Sequence, residues 1–262
     1  MSDADAGVRI EVDQHIATIT LNRPERGNSL VPESMPWFRD TWRRIDEDPD
    51  IRCVIITGTG DRHFCTGADL GGVSERGSVA GLGRVNREIT LTSRQNGVWK
   101  PTVCAVNGTV TGAGLHFVVD ADIVVASTNA TFLDSHVNVG MVGGVENIGL
   151  AKRLPLGTAL RMTLQGKNFR LTAERAFTLG LVDELVAPDE LMRTARQIAD
   201  DIAQNSPHAV SLSQQAVWSS VELPYTQATE YGWGLVKSHW MHPDFTEGPR
   251  AFAEGRAPQW KP

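Results

Sequence analysis

Cysteine is scarce in this sequence and follows no pattern typical of metal binding or multiple disulfides. The 262 residues include three cysteines, Cys53, Cys65 and Cys104, which lie far apart and form no Cys-x-x-Cys pair. Neither a disulfide framework nor a cysteine zinc site is therefore indicated. From this cysteine usage we expect a cytoplasmic protein.

Blocks of basic charge and long apolar runs are also missing. The 25 basic and 31 acidic residues give a formal net charge of −6, and no lysine- or arginine-rich block resembles a nucleic-acid footprint. The most apolar stretch, 115–126, is interrupted by Asp120 and Asp122, and the N-terminal residues are acidic. We expect no nucleic-acid partner, no signal peptide and no membrane span. An anionic ligand is still compatible with this charge, because arginines and helix N-termini bind phosphate on acidic proteins.

What is present is a pattern of alternating strands and helices. Two β-prone runs, 9–13 and 16–22, predict an opening hairpin. Phe38, Trp42 and Ile45 recur at helical spacing and predict a helix with one buried face. Runs that are apolar on both faces predict buried parallel strands at 51–57, 102–106 and 123–126. Helical patterns at 155–164, 172–179, 190–204 and 209–221 make the last third helical, so the fold class is α/β with a helical C-terminal region.

Three glycine-containing turns, at 58–70, 107–114 and 139–144, each follow a predicted strand. A phosphate-binding loop would need Gly-Lys-Ser/Thr, which none of them has, and Gly112-Ala113-Gly114 lacks the third glycine of a dinucleotide fingerprint. Small residues at such turns instead let free backbone N–H groups approach a ligand oxygen. Two such amides that converge on one point form an oxyanion hole.

Several motifs in order along the chain resemble the enoyl-CoA hydratase/isomerase (crotonase) family. They are Leu21-Asn-Arg-Pro-Glu25 with Asn28, the segment 54–70, Lys100-Pro-Thr-Val-Cys-Ala-Val-Asn-Gly108, Asp122-Ile-Val-Val-Ala126, and a tail from Glu247 to Pro258. The resemblance implies a spiral of repeated ββα units over residues 1–204 and a helical oligomerisation region over 205–262. It further implies a homotrimer, often paired into a hexamer, and an acyl-CoA substrate of lipid metabolism. CoA is then part of the substrate, and no separate cofactor is expected.

The resemblance also assigns binding residues. It places the carbonyl oxygen of the thioester between the amides of Ala68 and Ala113, in an oxyanion hole. The middle residue of the second glycine turn is usually glycine in this family, and alanine keeps the N–H. The CoA moiety is assigned to Arg23, Arg26 and the segment Ala68-Asp69-Leu70. The glycine-rich stretch 70–84 is interpreted as a lid over the acyl chain.

One departure from the family pattern concerns the two catalytic glutamates of its hydratases. At those positions this sequence has His116 and His136. One imidazole can act as general base while the other, protonated, acts as general acid. Glu146 is a further catalytic candidate, and Asp134 is an acid that either orients His136 or is solvated. No metal site is predicted there, and the other histidines, among them His208, His239 and His242, are interpreted as surface or packing residues.

Three functions follow from these assignments. The first is water addition to an enoyl-CoA, or rearrangement of its double bond. The second is hydrolysis of a β-dicarbonyl or thioester with a histidine as base. The third is acyl-CoA binding without catalysis, in which the lost glutamates mean lost chemistry.

Overall fold

The computed structural model describes residues 2–71, 74, 77 and 80–261. The predicted lid at 70–84 therefore lies partly outside the described residues. Ten strands are formed within the described part: β1 Val8–Asp13, β2 Ile16–Leu21, β3 Cys53–Gly58, β4 His63–Cys65, β5 Thr102–Val106, β6 Thr109–Thr111, β7 Ile123–Ser127, β8 Thr131–Leu133, β9 Leu171–Thr172 and β10 Glu184–Val186. The first helices are α1 Asp3–Ala6, α2 Ser34–Glu47, α3 Val85–Glu88 and α4 Leu115–Val119. The later ones are α5 Val145–Arg153, α6 Leu156–Gln165, α7 Ala173–Thr178, α8 Leu191–Ala203, α9 Pro207–Glu222, α10 Tyr225–His239 and α11 Asp244–Glu254.

The opening hairpin is confirmed, with β1 antiparallel to β2 and Asp13 opposite Ile16. Its two-residue turn consists of Gln14 and His15, whose φ angles of 46° and 71° are both left-handed. Such a turn matches the twist of the two strands it joins. β2 then pairs in parallel with β3, and the larger sheet has the order β1-β2-β3-β5-β7-β10.

The predicted ββα repeat is confirmed by the way the strands divide between two sheets. Each of β3, β5 and β7 lies in the larger sheet, and each is followed by a short strand, β4, β6 or β8, in a second sheet of order β4-β6-β8-β9. Helix α4 follows β6, and α5 follows β8. Each repeat thus contributes one strand to each sheet, which brings the ends of β4, β6 and β8 together.

The core packs on both faces of the larger sheet. On one face, Phe38, Trp42 and Ile45 of α2 are fully buried, as their spacing predicted. On the other face, Leu191, Ala195 and Ala199 of α8 pack against β3, β5 and β7. Strands β3 and β5 are buried along their whole length, which explains why their sequences are apolar on both faces.

The helical C-terminal region predicted from the sequence is confirmed as α8 to α11. Trp218 Nε1 and Gln214 Nε2 of α9 donate to the Asp122 carboxylate at 2.7 Å each, which holds α9 against the core. The boundary at residues 204 and 205 and the oligomerisation role stay predictions. No helix among the described residues is long and apolar enough to cross a membrane.

We expect Leu21→Ala to lower the free energy of unfolding by about 2–5 kcal/mol, because Leu21 lies in β2 with only 1% of its surface exposed. Leu82→Ala is the matched control, since Leu82 is fully exposed, and we expect it to change the free energy by less than about 0.5 kcal/mol. Urea unfolding at one fixed protein concentration measures both. Equal losses in the two variants would contradict the described core.

Candidate active site

Two asparagines shape the loop between β3 and β4 that leads to Ala68. Asn28 Nδ2 donates to the carbonyl oxygens of Thr59 (3.0 Å) and His63 (2.8 Å). Asn107 Nδ2 donates to the carbonyl oxygen of Gly60 at 2.7 Å. Both are largely buried, and buried amides stabilise a loop only when such bonds are made. Asn28 and Asn107, which belong to two of the motifs that resemble the family, therefore stabilise this loop.

The backbone amide of Ala68 takes no part in the hydrogen bonds that Gly67 and Asp69 form with Leu30. Leu30 N–H donates to the Gly67 carbonyl, and Asp69 N–H donates to the Leu30 carbonyl, each at 2.8 Å. In this parallel bridge the N–H of the intervening residue points to the other side of its chain. Among the hydrogen bonds of the described residues, the Ala68 amide has no acceptor.

The amide of Ala113 lies close to the same loop. Ala113 is the middle residue of a 3-10 turn directly before α4, where the first amides have no partner within the helix. Gly67 has a φ of +89°, and a Cβ there would lie 3.2 Å from the Ala113 nitrogen. Gly112 has a φ of +55°, and a Cβ there would lie 3.7 Å from His136 Cε1. Glycine at these two positions thus permits the close approach of two loops and a histidine.

Both alanines line a cleft of about 500 Å³, a volume within the usual range for small-ligand sites. His116, His136 and Glu146 line the same cleft. The structure thus brings together the five residues that the sequence predicted as catalytic. Most of the remaining wall is apolar and is formed by Leu30, Val31, Met35, Ile89, Leu91, Val139, Met141, Val142 and Val145.

His116 is held in one tautomer by Gln95. The Gln95 Oε1 accepts the backbone amides of Leu91 (2.9 Å) and Thr92 (3.3 Å), so its Nε2 is the group 3.0 Å from His116 Nδ1. An amide nitrogen can only donate, so Nδ1 accepts and Nε2 carries the proton. Burial lowers the pKa of His116 to about 4, and His136 contributes to the shift. His116 is therefore a neutral hydrogen-bond donor at neutral pH, rather than a base at Nε2.

His136 is held by a buried carboxylate. Asp134 Oδ1 accepts from the His136 ring Nδ1 (2.6 Å) and from its backbone amide (3.1 Å), while Oδ2 accepts from Asn147 Nδ2 (2.7 Å). Although burial opposes it, these bonds hold the pKa of Asp134 below its usual range. The bond to Asp134 raises the pKa of His136 against the effect of burial, and Glu146 raises it further. Of the two roles open to Asp134, the structure supports the orientation of His136.

Glu146 connects the two histidines. It lies in the first turn of α5, with Oε1 3.2 Å from His136 Nε2 and Oε2 3.6 Å from His116 Nε2. Both pairs are electrostatic contacts rather than hydrogen bonds, and the second is too long for a hydrogen bond at any angle. Burial raises the pKa of Glu146, so this carboxylate holds a proton more readily than one in water. The cleft is therefore lined by a carboxylate of raised pKa, a neutral imidazole donor and an imidazole of raised pKa.

The residues assigned to CoA lie near the mouth of this cleft. Asp69 and Leu70 line it, and Leu70 is half exposed. Arg23 Nη2 pairs with Asp69 Oδ2 at 3.1 Å, and its Nη1 donates to the Ser29 carbonyl at 2.9 Å. Arg26 is exposed, in a 3-10 turn. The contacts of these residues with CoA stay predictions.

Sequence reasoning missed Gln95 and Asn147 as supports of the two histidines. Gln95 lies 21 residues before His116 and Asn147 lies 13 residues after Asp134, so no local spacing pairs them. The one available signal was the run of polar residues at 92–96.

We expect histidine ring ¹⁵N NMR at neutral pH to show His116 with a proton on Nε2 and none on Nδ1. In Gln95→Met the donor to Nδ1 is lost, and we expect the His116 signals to shift toward a mixture of tautomers. Gln227→Met, at an exposed position on α10, should leave them unchanged. A wild-type His116 protonated at Nδ1 would contradict the assigned tautomer.

This chain is similar to known proteins of one family. A sequence model of the family described as Enoyl-CoA hydratase/isomerase matches residues 11–262. Among curated proteins, an (E)-benzylidenesuccinyl-CoA hydratase from Thauera aromatica is 35% identical over 97% of this chain and 98% of its own. A short-chain-enoyl-CoA hydratase from Clostridium acetobutylicum is 33% identical over 80% of each chain.

A solved structure gives the same result at the level of the fold. The crystal structure of an enoyl-CoA hydratase/isomerase from Mycobacterium paratuberculosis superposes with a TM-score of 0.88 and 38% identity, over 97% of this chain and 98% of that chain. The spiral of ββα units with a helical C-terminal region is therefore this chain's fold. The resemblance read from the sequence is confirmed, and the chain belongs to the enoyl-CoA hydratase/isomerase family.

Proposed function

We propose that this chain is an enoyl-CoA hydratase, which adds water across the α,β double bond of an enoyl-CoA thioester. The observation that carries the proposal is the position of Glu146, whose carboxylate contacts both imidazoles in the cleft that also contains the amides of Ala68 and Ala113. The hydratase names of the relatives from Thauera and Clostridium support it.

In this proposal the thioester carbonyl oxygen accepts hydrogen bonds from Ala68 N–H and Ala113 N–H. Negative charge collects on that oxygen when a nucleophile adds to the β-carbon. Preorganised donors of this kind contribute about 3–4 kcal/mol each at the transition state. The amides therefore polarise the double bond toward attack at Cβ.

Glu146 is the general base for the attacking water. The water oxygen forms a bond to Cβ while one of its protons passes to the Glu146 carboxylate, and the π electrons move onto the thioester oxygen as an enolate. His116 Nε2–H, 3.6 Å from Glu146 Oε2, orients the water by donating to its oxygen. Its low pKa keeps this ring neutral, so that it donates without competing for the proton.

His136 is the general acid. The enolate returns its electrons to re-form the carbonyl, and Cα takes a proton from His136 Nε2. Asp134 favours the protonated form of His136 before this step, since the bond between them raises the pKa of the imidazole. The proton on Glu146 then crosses the 3.2 Å to His136 Nε2, which restores both groups for the next turnover.

We expect the purified protein to remove the conjugated absorbance of crotonyl-CoA or of a bulkier, aryl-substituted enoyl-CoA. Glu146→Gln and His136→Gln should each lower kcat by about 10²–10⁴-fold, because each removes a proton-transfer group. Glu230→Gln, at an exposed site on α10, is the matched control and should be unaffected.

Three other outcomes would contradict hydration. Release of free CoA thiol would identify a hydrolase. Gain of conjugated absorbance from a β,γ-enoyl-CoA, without hydration of the α,β isomer, would identify an isomerase. Tight CoA binding with no turnover of any thioester would identify a binding protein.

A second variant tests the role of the Ala113 amide, independently of the proton-transfer groups. Gly67→Ala would place a methyl group 3.2 Å from the Ala113 nitrogen, so we expect it to displace that amide and lower kcat by at least about tenfold. Gly60→Ala is the matched control, because Gly60 has nearly the same φ of +90° and no atom within 4 Å of the added carbon. Both variants carry similar backbone strain. An equal loss of activity in the two would show that strain alone is responsible.

A further inference from the structure

Three histidines outside the cleft lie together at one end of the C-terminal helices. His208 is the second residue of α9, His239 is the last residue of α10, and His242 lies in the loop before α11. One ring nitrogen from each lies within 4.8 Å of those of the other two. All three side chains are half-buried. The sequence predicted separate surface or packing histidines, and it did not predict that the three lie together.

The three imidazole rings are stacked, with interplanar angles of 3° to 21°. His208 Nδ1 lies 2.8 Å from His239 Nδ1, so one of these nitrogens offers a lone pair to the other. The His242 ring is stacked on His208 with centroids 4.1 Å apart. His242 Nδ1 accepts the Asp244 backbone amide at 3.3 Å, so in the neutral ring Nε2 carries the proton. Metal binding through Nε2 moves this proton to Nδ1 and replaces the bond to the Asp244 amide.

We propose that His208, His239 and His242 bind one divalent transition-metal ion of the zinc class. Three imidazoles without a thiolate suit zinc and its first-row neighbours, and do not suit calcium or magnesium, which prefer oxygen ligands. Coordination turns the nearly parallel ring planes so that the three lone pairs converge. Water fills the remaining position of a tetrahedral site.

The electrostatics around the cluster favour a cation. Asp244 faces the cluster with Oδ2 3.8 Å from His242 Nδ1. That carboxylate is fully buried and fixed by Ser206 Oγ (2.5 Å) and the Lys261 amide (2.8 Å), so it adds a fixed negative charge beside the site.

The ion has a structural consequence that is independent of the chemistry in the cleft. It joins the first turn of α9 to the end of α10 and to the loop before α11, and thereby closes the open end of the α9–α10 hairpin. Since the ion binds the folded chain, it raises the Tm, and above the Kd this rise grows with the logarithm of the free ion concentration.

The test uses the full chain without a histidine tag, stripped with a chelator and titrated with ZnCl₂ by calorimetry. We expect one zinc per chain, a rise in Tm, and, with cobalt in place of zinc, the visible bands of a tetrahedral site. His239→Gln should weaken zinc binding by at least about tenfold and abolish the rise in Tm. If this variant does not fold, His208→Gln and His242→Gln give the same comparison.

Two controls locate the ion. His63→Gln removes a histidine that is not in the cluster, and His136→Gln removes one from the cleft, so both should bind zinc as the wild type does. Binding that is lost in His136→Gln would place the metal in the cleft and overturn the proposal. The absence of zinc binding by the wild type would overturn it equally, as would unchanged zinc binding by His239→Gln.

Discussion

The contact between Glu146 and His136 is the interaction on which the rest of the cleft depends. The carboxylate is buried and the imidazole is held by Asp134, so neither group can satisfy its charge in water. An isolated buried charge is costly, whereas a paired one is tolerated. The loop after β8 and the first turn of α5 are therefore joined by an electrostatic contact between a carboxylate and an imidazole. Every step of the proposed hydration uses one of these two groups.

Much of the fold could be predicted because its signals are local. The turn at Gln14 and His15, the stripe of Phe38, Trp42 and Ile45, and the Thr172 N-cap of α7 each depend on residues a few positions apart. The short strands β4, β6 and β8 were not predicted individually, since three residues are too few to show a period. Their positions depend on the neighbouring repeat rather than on their own sequence.

In the site, too, some features could be predicted from the sequence and others could not. The resemblance located the two amides and both histidines, because the family pattern assigns these positions along the chain. What it could not supply is which groups touch: that Gln95 fixes the tautomer of His116, or that Glu146 reaches two imidazoles from two other elements. The proximity of His208, His239 and His242 could not be predicted for the same reason. The first two histidines lie 31 residues apart in the chain, and only the pairing of α9 with α10 brings them together.

The family pattern has two catalytic glutamates. In the proposed hydration their roles are taken by one carboxylate and two imidazoles. A catalytic acid and its base must each be re-formed after every turnover, so the proton must return at little cost in free energy. That cost is small when the two pKa values approach each other. Burial raises the pKa of Glu146, which starts below that of an imidazole. Asp134 raises the pKa of His136 at the same time, against the effect of burial. In the proposed hydration, the carboxylate that activates water therefore comes from α5, and Asp134 favours His136 as the acid because it raises the pKa of that imidazole.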